Sequence, residues 1–198
     1  MDFYHEAMRE LQDRYEGRAV ADRLEERLTH STFIEDDRRM IGSAAFFFLA
    51  TASHNSVDCS FKGGEPGFER VVGDSELIWP DYDGNRMYRS LGNIGLINRV
   101  GLVFISFDGH RDGGSAARLR VNGRATIDES ADAVVGLPGA KRLVRVSVDH
   151  KFPNCPRYIP KIEIIESSKY APRNGHSPPE PEWKQKPFVK DIFDEEKG

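Results

Sequence analysis

Phe46-Phe47-Phe48-Leu49-Ala50-Thr51-Ala52 is followed by Ser53 to Ser56 and then by Val57-Asp58-Cys59-Ser60-Phe61. The first stretch is continuous and apolar, rich in aromatic residues, and too short for a membrane span; it reads as a buried β-strand. Ser53 to Ser56 is polar and suits a hairpin turn, and Val57 to Phe61 reads as the returning strand. The same texture continues downstream. Phe68 to Val72 and Glu76 to Trp79 read as two short strands joined at Gly73-Asp74. Val100 to Phe107, Leu119 to Thr126, Leu143 to Val148 and Ile162 to Ile165 complete the set. Many short strands with few helices between them favour an antiparallel barrel over a parallel sheet of the Rossmann kind.

Outside this block the texture changes. Phe3, Ala7, Leu11 and Tyr15, then Val20, Leu24 and Leu28, recur at helical spacing on either side of Gly17. They predict an amphipathic helical arm, capped by Asp2 and packed on the barrel or on a partner subunit. A short helix is expected over Ile34 to Gly42, and another over Asn85 to Ile94 with its free N–H groups at the N-terminal end. Lys62 to Gly67 and Asp108 to Ser115 are glycine-rich loops, the second expected to be mobile. Five prolines at 172, 178, 179, 181 and 187 make the C-terminus an extended tail, with Trp183 and Phe188 expected to dock. The chain thus divides into a helical arm over 1–32, a barrel over 33–170 and a Pro-rich tail over 171–198.

The net charge of −4 over 198 residues lacks the basic excess of a general nucleic-acid binder. The N-terminus is polar and charged, so no signal peptide is read there, and the longest apolar run cannot cross a membrane. Cys59 and Cys155 form no metal motif and no disulfide framework, which fits free thiols and a cytoplasmic setting. Six scattered histidines make no H-x-x-x-H pair. No Walker A, G-x-G-x-x-G or nucleophile-elbow motif occurs. Asp81 to Asn85 imitates the start of a calcium loop, but its glycine falls too early and its twelfth position is Gly92 rather than Glu.

The positive signal is a candidate anion site. Lys62-Gly63-Gly64 follows a strand, and Pro80-Asp81-Tyr82-Asp83-Gly84-Asn85-Arg86 leads into a helix. A phosphate needs cations, N–H donors and close backbone approach. Lys62, Arg86 and Arg89 can supply charge, and Ser60, Asn85 and Ser90 neutral hydrogen bonds. Two surface loops with solvated charges would carry the same residues, so the pattern alone leaves both readings open.

The order of these segments resembles the pyridoxamine 5'-phosphate oxidase-like FMN-binding family. The resemblance is carried by Phe48 to Ser53, Ser60 to Gly64, Pro66-Gly67-Phe68, Pro80 to Asn85 and Ser90 to Ile94. Val100 to Ile105, Leu119 to Ala125 and Asn154 to Ile159 extend it, for a span of about Phe33 to Ile165. It implies a mainly β, FMN-binding split barrel and a homodimer with the flavin between subunits. It also implies that Thr51 and Ser60 line the flavin side, and that Lys62 meets the phosphate. Asn85, Arg86 and Ser90 would close on the phosphate and ribityl chain, and Asn93 would support that turn. Backbone near Ala50 to Ala52 and near Pro80 to Tyr82 would touch the ring edges, and Arg157 would add a further contact.

The sequence departs from the true oxidases in two places. Their basic phosphate turn is here the acidic Asp81-Tyr82-Asp83-Gly84-Asn85-Arg86, and their arginine-rich ending is replaced by Trp183-Lys184-Gln185-Lys186-Pro187-Phe188. Vitamin B6 oxidation is therefore not expected. An FMN-dependent oxidoreductase of unassigned small-molecule substrate is, with no side chain named as acid or base. A non-catalytic flavin or haem module and a deazaflavin F420 reductase are the alternatives. Haem would need an axial ligand such as a histidine, and F420 more cations than this turn displays.

Overall fold

The computed structural model describes residues 3–107 and 117–195. Three helices come first: α1 (Glu6–Arg14), α2 (Arg18–Leu28) and α3 (Glu35–Ser43). Strands β1 (Phe46–Ala52), β2 (Val57–Gly63), β3 (Arg70–Val71) and β4 (Glu76–Asp81) follow, then α4 (Arg89–Leu96). Strands β5 (Arg99–Ser106), β6 (Ala117–Asp128) and β7 (Arg142–Asn154) complete one antiparallel sheet, and α5 (Lys190–Glu195) lies in the tail. The expected loop over 108–115 and the expected Asp2 cap lie outside the described residues. The cap within them is His5, whose ring nitrogen accepts from the Met8 N–H.

The sheet order is β2-β1-β5-β6-β7-β4-β3. Three strands separate β1 from β4, which in a flat sheet would hold them about 19 Å apart at the usual strand spacing. Yet the Phe47 ring on β1 meets Trp79 on β4 with centroids 5.2 Å apart. The sheet therefore curls until its two halves share one core, while β2 and β3 keep unpaired edges. It is closed by packing and open in hydrogen bonding, which is a split barrel. Phe47, Leu49, Trp79, Leu102, Phe104, Val121, Val144 and Val146 fill its interior and are almost fully buried. Tight curling needs local devices. At the irregularity between Asn122 and Gly123, a Cβ on Gly123 would stand 2.3 Å from the Ser147 carbonyl oxygen, so only glycine fits.

The helices are pinned to the barrel at few points. Lys151 on β7 is buried and pairs with Asp37 at 2.6 Å, while His30 bridges backbone to Lys151. Phe3 packs on His150 and Phe152. The stripe predicted to pack is largely exposed: Leu11, Tyr15, Val20 and Leu24 are each uncovered by this chain.

Four expectations need correction. Ile162 to Ile165 is no strand, because these residues find no ladder partner and stand exposed after Pro156 and Pro160. The strand expected over Phe68 to Val72 shrinks to Arg70–Val71. The helix expected from Asn85 begins at Arg89, because Arg86 and Tyr88 take left-handed backbone. Phe188 does not dock and is 77% exposed, whereas Trp183 packs edge-on against Phe193 at 5.3 Å. Among the described residues, no helix is long and apolar enough to cross a membrane.

Candidate functional site

Side chains on a strand alternate between faces. On β2 this puts Asp58, Ser60 and Lys62 on the half-buried face and Val57, Cys59 and Phe61 on the exposed one. The half-buried face looks into a cleft of about 790 Å³, within the usual range for small-molecule sites. Its other walls are the 81–88 turn, the first turn of α4, and Lys141-Arg142 at the start of β7. A second cavity of about 570 Å³ shares Lys62 and the Asp81 to Gly84 turn; Phe46, Phe68, Trp79 and Tyr170 make it more aromatic.

The turn is conformationally loaded. Arg86 and Tyr88 both adopt left-handed backbone, with φ of 59° and 52°. Neither is glycine, so each costs on the order of 1–2 kcal/mol and persists only where its surroundings hold it. The Asn85 carboxamide oxygen accepts from the Met87 N–H at 3.0 Å. The Arg142 guanidinium lies 5.4 Å from the Tyr88 ring centre. These left-handed residues delay the helix to Arg89. The N-terminus of α4 carries no side-chain cap and faces the cleft through Arg89 and Ser90.

Electrostatics separate the cations of the cleft. Asp58 pairs with Arg89 at 3.0 Å, Asp81 with Arg142 at 2.8 Å, and Asp83 with Lys184 of the tail at 2.8 Å. The acidity of the turn, so conspicuous in sequence, is thus matched by partners distant in the chain. Lys62 is treated differently. Burial pushes its amine below the ordinary lysine value, and the more remote attraction of Asp81 and Asp58 offsets this only in part. A desolvated ammonium of this kind gains most from an incoming anion. Burial also pushes the Tyr82 hydroxyl up, with Glu69 and Glu65 adding to the effect and Arg70 opposing it, which keeps it a neutral donor.

Six of the nine expected residues line this one cleft: Ser60, Lys62, Tyr82, Asn85, Arg86 and Ser90. The Ser60 and Ser90 hydroxyls are 3.0 Å apart and tie β2 to α4. Thr51 and Asn93 sit just behind. The Asn93 carboxamide donates to the buried Thr51 hydroxyl at 3.0 Å and fixes α4 against β1. Arg157 is not brought there; it lies beyond β7 with its guanidinium 5.9 Å from the Tyr158 ring centre. Lys141 and Arg142 were not expected. Their signal was a basic pair opening a strand, and the register that sets Arg142 opposite Asp81 gives it meaning. Among the described residues, no histidine lines the cleft and no cluster of metal-ligating groups occurs.

No family model matches the chain, and no curated protein does. Several solved structures are similar to part of it. An FMN-binding protein from Syntrophomonas wolfei aligns at 12% identity and a TM-score of 0.47, over 73% of this chain and 97% of its own. A candidate pyridoxamine 5'-phosphate oxidase from Lactobacillus delbrueckii aligns at 17% and 0.48, over 62% and 95%. HutZ, the haem storage protein from Vibrio cholerae, aligns at 14% and 0.41, over 59% and 91%.

Proposed function

We propose that this chain binds FMN in the Lys62 cleft and serves as an FMN-dependent oxidoreductase on a small molecule other than pyridoxamine phosphate. The observation that carries the reading is Lys62. It is a half-buried cation whose neighbouring carboxylates pair elsewhere, lining a cleft of cofactor size. The FMN phosphate would meet Lys62, the N–H groups at the start of α4, and Arg86. Ser60, Ser90 and Asn85 would bond the ribityl hydroxyls, and Tyr82 with the adjoining aromatic cavity would face the ring. Bound flavin supplies the hydride and electron chemistry; the protein orients it and excludes water. No side chain is assigned as acid or base.

The reading includes a homodimer. The outer faces of β1 and β2 leave Phe46, Phe48 and Phe61 in mutual ring contact at 5.1–6.0 Å, with Phe48 and Phe61 exposed. An exposed aromatic patch of this kind is suited to a second copy. In such a dimer Arg157 and the uncovered helical stripe would serve the partner. The wild-type chain is expected to elute in light-scattering chromatography at twice the mass of one chain, and Phe48→Glu with Phe61→Glu at one. A folded variant that keeps the wild-type mass removes this patch as the interface.

The functional reading is tested by titrating the purified protein with FMN, riboflavin, F420 and haem, following absorbance and flavin fluorescence. FMN is expected to bind, and more tightly than riboflavin. Preference for F420, or a Soret shift with haem alongside indifference to FMN, would replace the reading with one of those ligands.

A further inference from the structure

The tail does more than end the chain, because it reaches back to the turn that walls the cleft. A 3-10 turn over Glu182–Gln185 and helix α5 fold against each other through Trp183 and Phe193. Phe193 is buried, at 7% exposure. Two cations cover it. The Arg86 guanidinium stands 4.6 Å from its ring centre and the Lys184 amine 5.4 Å. Lys184 is itself largely buried and grips Asp83 at 2.8 Å. The tail therefore holds the turn on both sides of Gly84 and Asn85, at Asp83 and at Arg86.

This contact falls where the backbone needs it. Arg86 is one of two left-handed residues in the turn, and such geometry lasts only under outside constraint. A guanidinium stacks on an aromatic ring through its flat face, whereas phosphate is bound through its N–H edges. Stacking on Phe193 and bonding a phosphate are thus compatible uses of the same side chain, and the first fixes the plane in which the second occurs.

We infer that the tail over 181–195 is a clamp on the cleft, in which Phe193 and Lys184 are positioning residues that set Arg86 and the 83–88 turn for an anionic ligand. The part concerning a flavin phosphate rests on the function proposed above; the clamp itself does not.

The test compares the full-length wild type with Phe193→Ala, Phe193→Tyr, Arg86→Ala and the Phe193→Ala/Arg86→Ala double variant. Amide exchange is read over 83–88 without ligand, and the FMN-to-riboflavin affinity ratio is read separately. Phe193→Ala is expected to speed exchange in the turn about tenfold while the β-strands keep their protection. It is expected to lower the FMN-to-riboflavin ratio about tenfold, with Phe193→Tyr restoring both. The double variant should fall no further than Arg86→Ala alone, since both act through one group. Unchanged exchange in Phe193→Ala overturns the clamp, whatever the flavins do. Faster exchange with an unchanged ratio overturns the positioning of Arg86. Faster exchange in a protein whose wild type binds neither flavin upholds the clamp and refutes the flavin reading instead.

Discussion

Stability is expected to fall as the pH is raised from about 5 to about 9, and Glu69→Gln to abolish most of that fall. Glu69, next to the short strand β3 in the chain, is fully buried, and neither carboxyl oxygen has a hydrogen-bond partner outside its own residue. Burial pushes its carboxyl up from an ordinary 4.5 to about 8. Below about 4.5 both folded and unfolded chains hold the proton, so Glu69 adds no pH dependence. Between there and about 8 the unfolded chain releases the proton and the folded chain keeps it, so each step up in pH favours unfolding. Above about 8 both are ionised and the loss is complete. At roughly 1.4 kcal/mol per pH unit the ceiling is about 5 kcal/mol, a large share of the stability of a domain this size. Chemical denaturation of both proteins at several pH values measures the difference directly. Parallel curves for wild type and Glu69→Gln would mean the carboxyl finds a partner or water in solution.

The second large effect belongs to Lys62. Lys62→Ala is expected to weaken FMN roughly 10- to 100-fold, the value of one charge-assisted phosphate contact, and to leave riboflavin within about twofold. Because its amine is held below the ordinary lysine value, FMN affinity in the wild type should also decline at a lower alkaline pH than solvated lysines would give. The variant should lose that decline. Equal losses for FMN and riboflavin would place Lys62 against the ring or in the framework rather than on the phosphate.

The β1–β2 hairpin could be read locally because its determinants are local. The apolar run of Phe46 to Ala52 and the Ser53–Ser56 turn, where the two hydroxyls meet at 2.9 Å, specify it within a dozen residues. The cleft was legible only in outline: the residue types of Ser60, Lys62 and the 81–90 segment suited an anion, but Ser60 and Ser90 are 30 residues apart and the resemblance, not the local pattern, grouped them. What escaped depends on long-range pairing. Asp81 and Asp83 looked like repulsive neighbours for a phosphate until the β4–β7 register supplied Arg142 and the tail supplied Lys184. The late start of α4 was hidden because Arg86 and Tyr88 are not residues that announce left-handed backbone. Ile162 to Ile165 has the composition of a strand, but composition cannot provide the neighbour that a ladder needs. Glu69 carries no local mark of burial: a glutamate after Phe68 and before Arg70 reads as a surface residue, yet it is fully buried.

Occupancy of the Lys62 cleft by FMN is measured by denaturing the purified protein, supplied with FMN and freed of excess, and weighing what it releases. The expected release is a mass equal to that of FMN, in an amount close to one per chain, and much less from Lys62→Ala. Release of a tetrapyrrole or F420 acquired from the host, or of nothing from a folded wild-type protein, would contradict it.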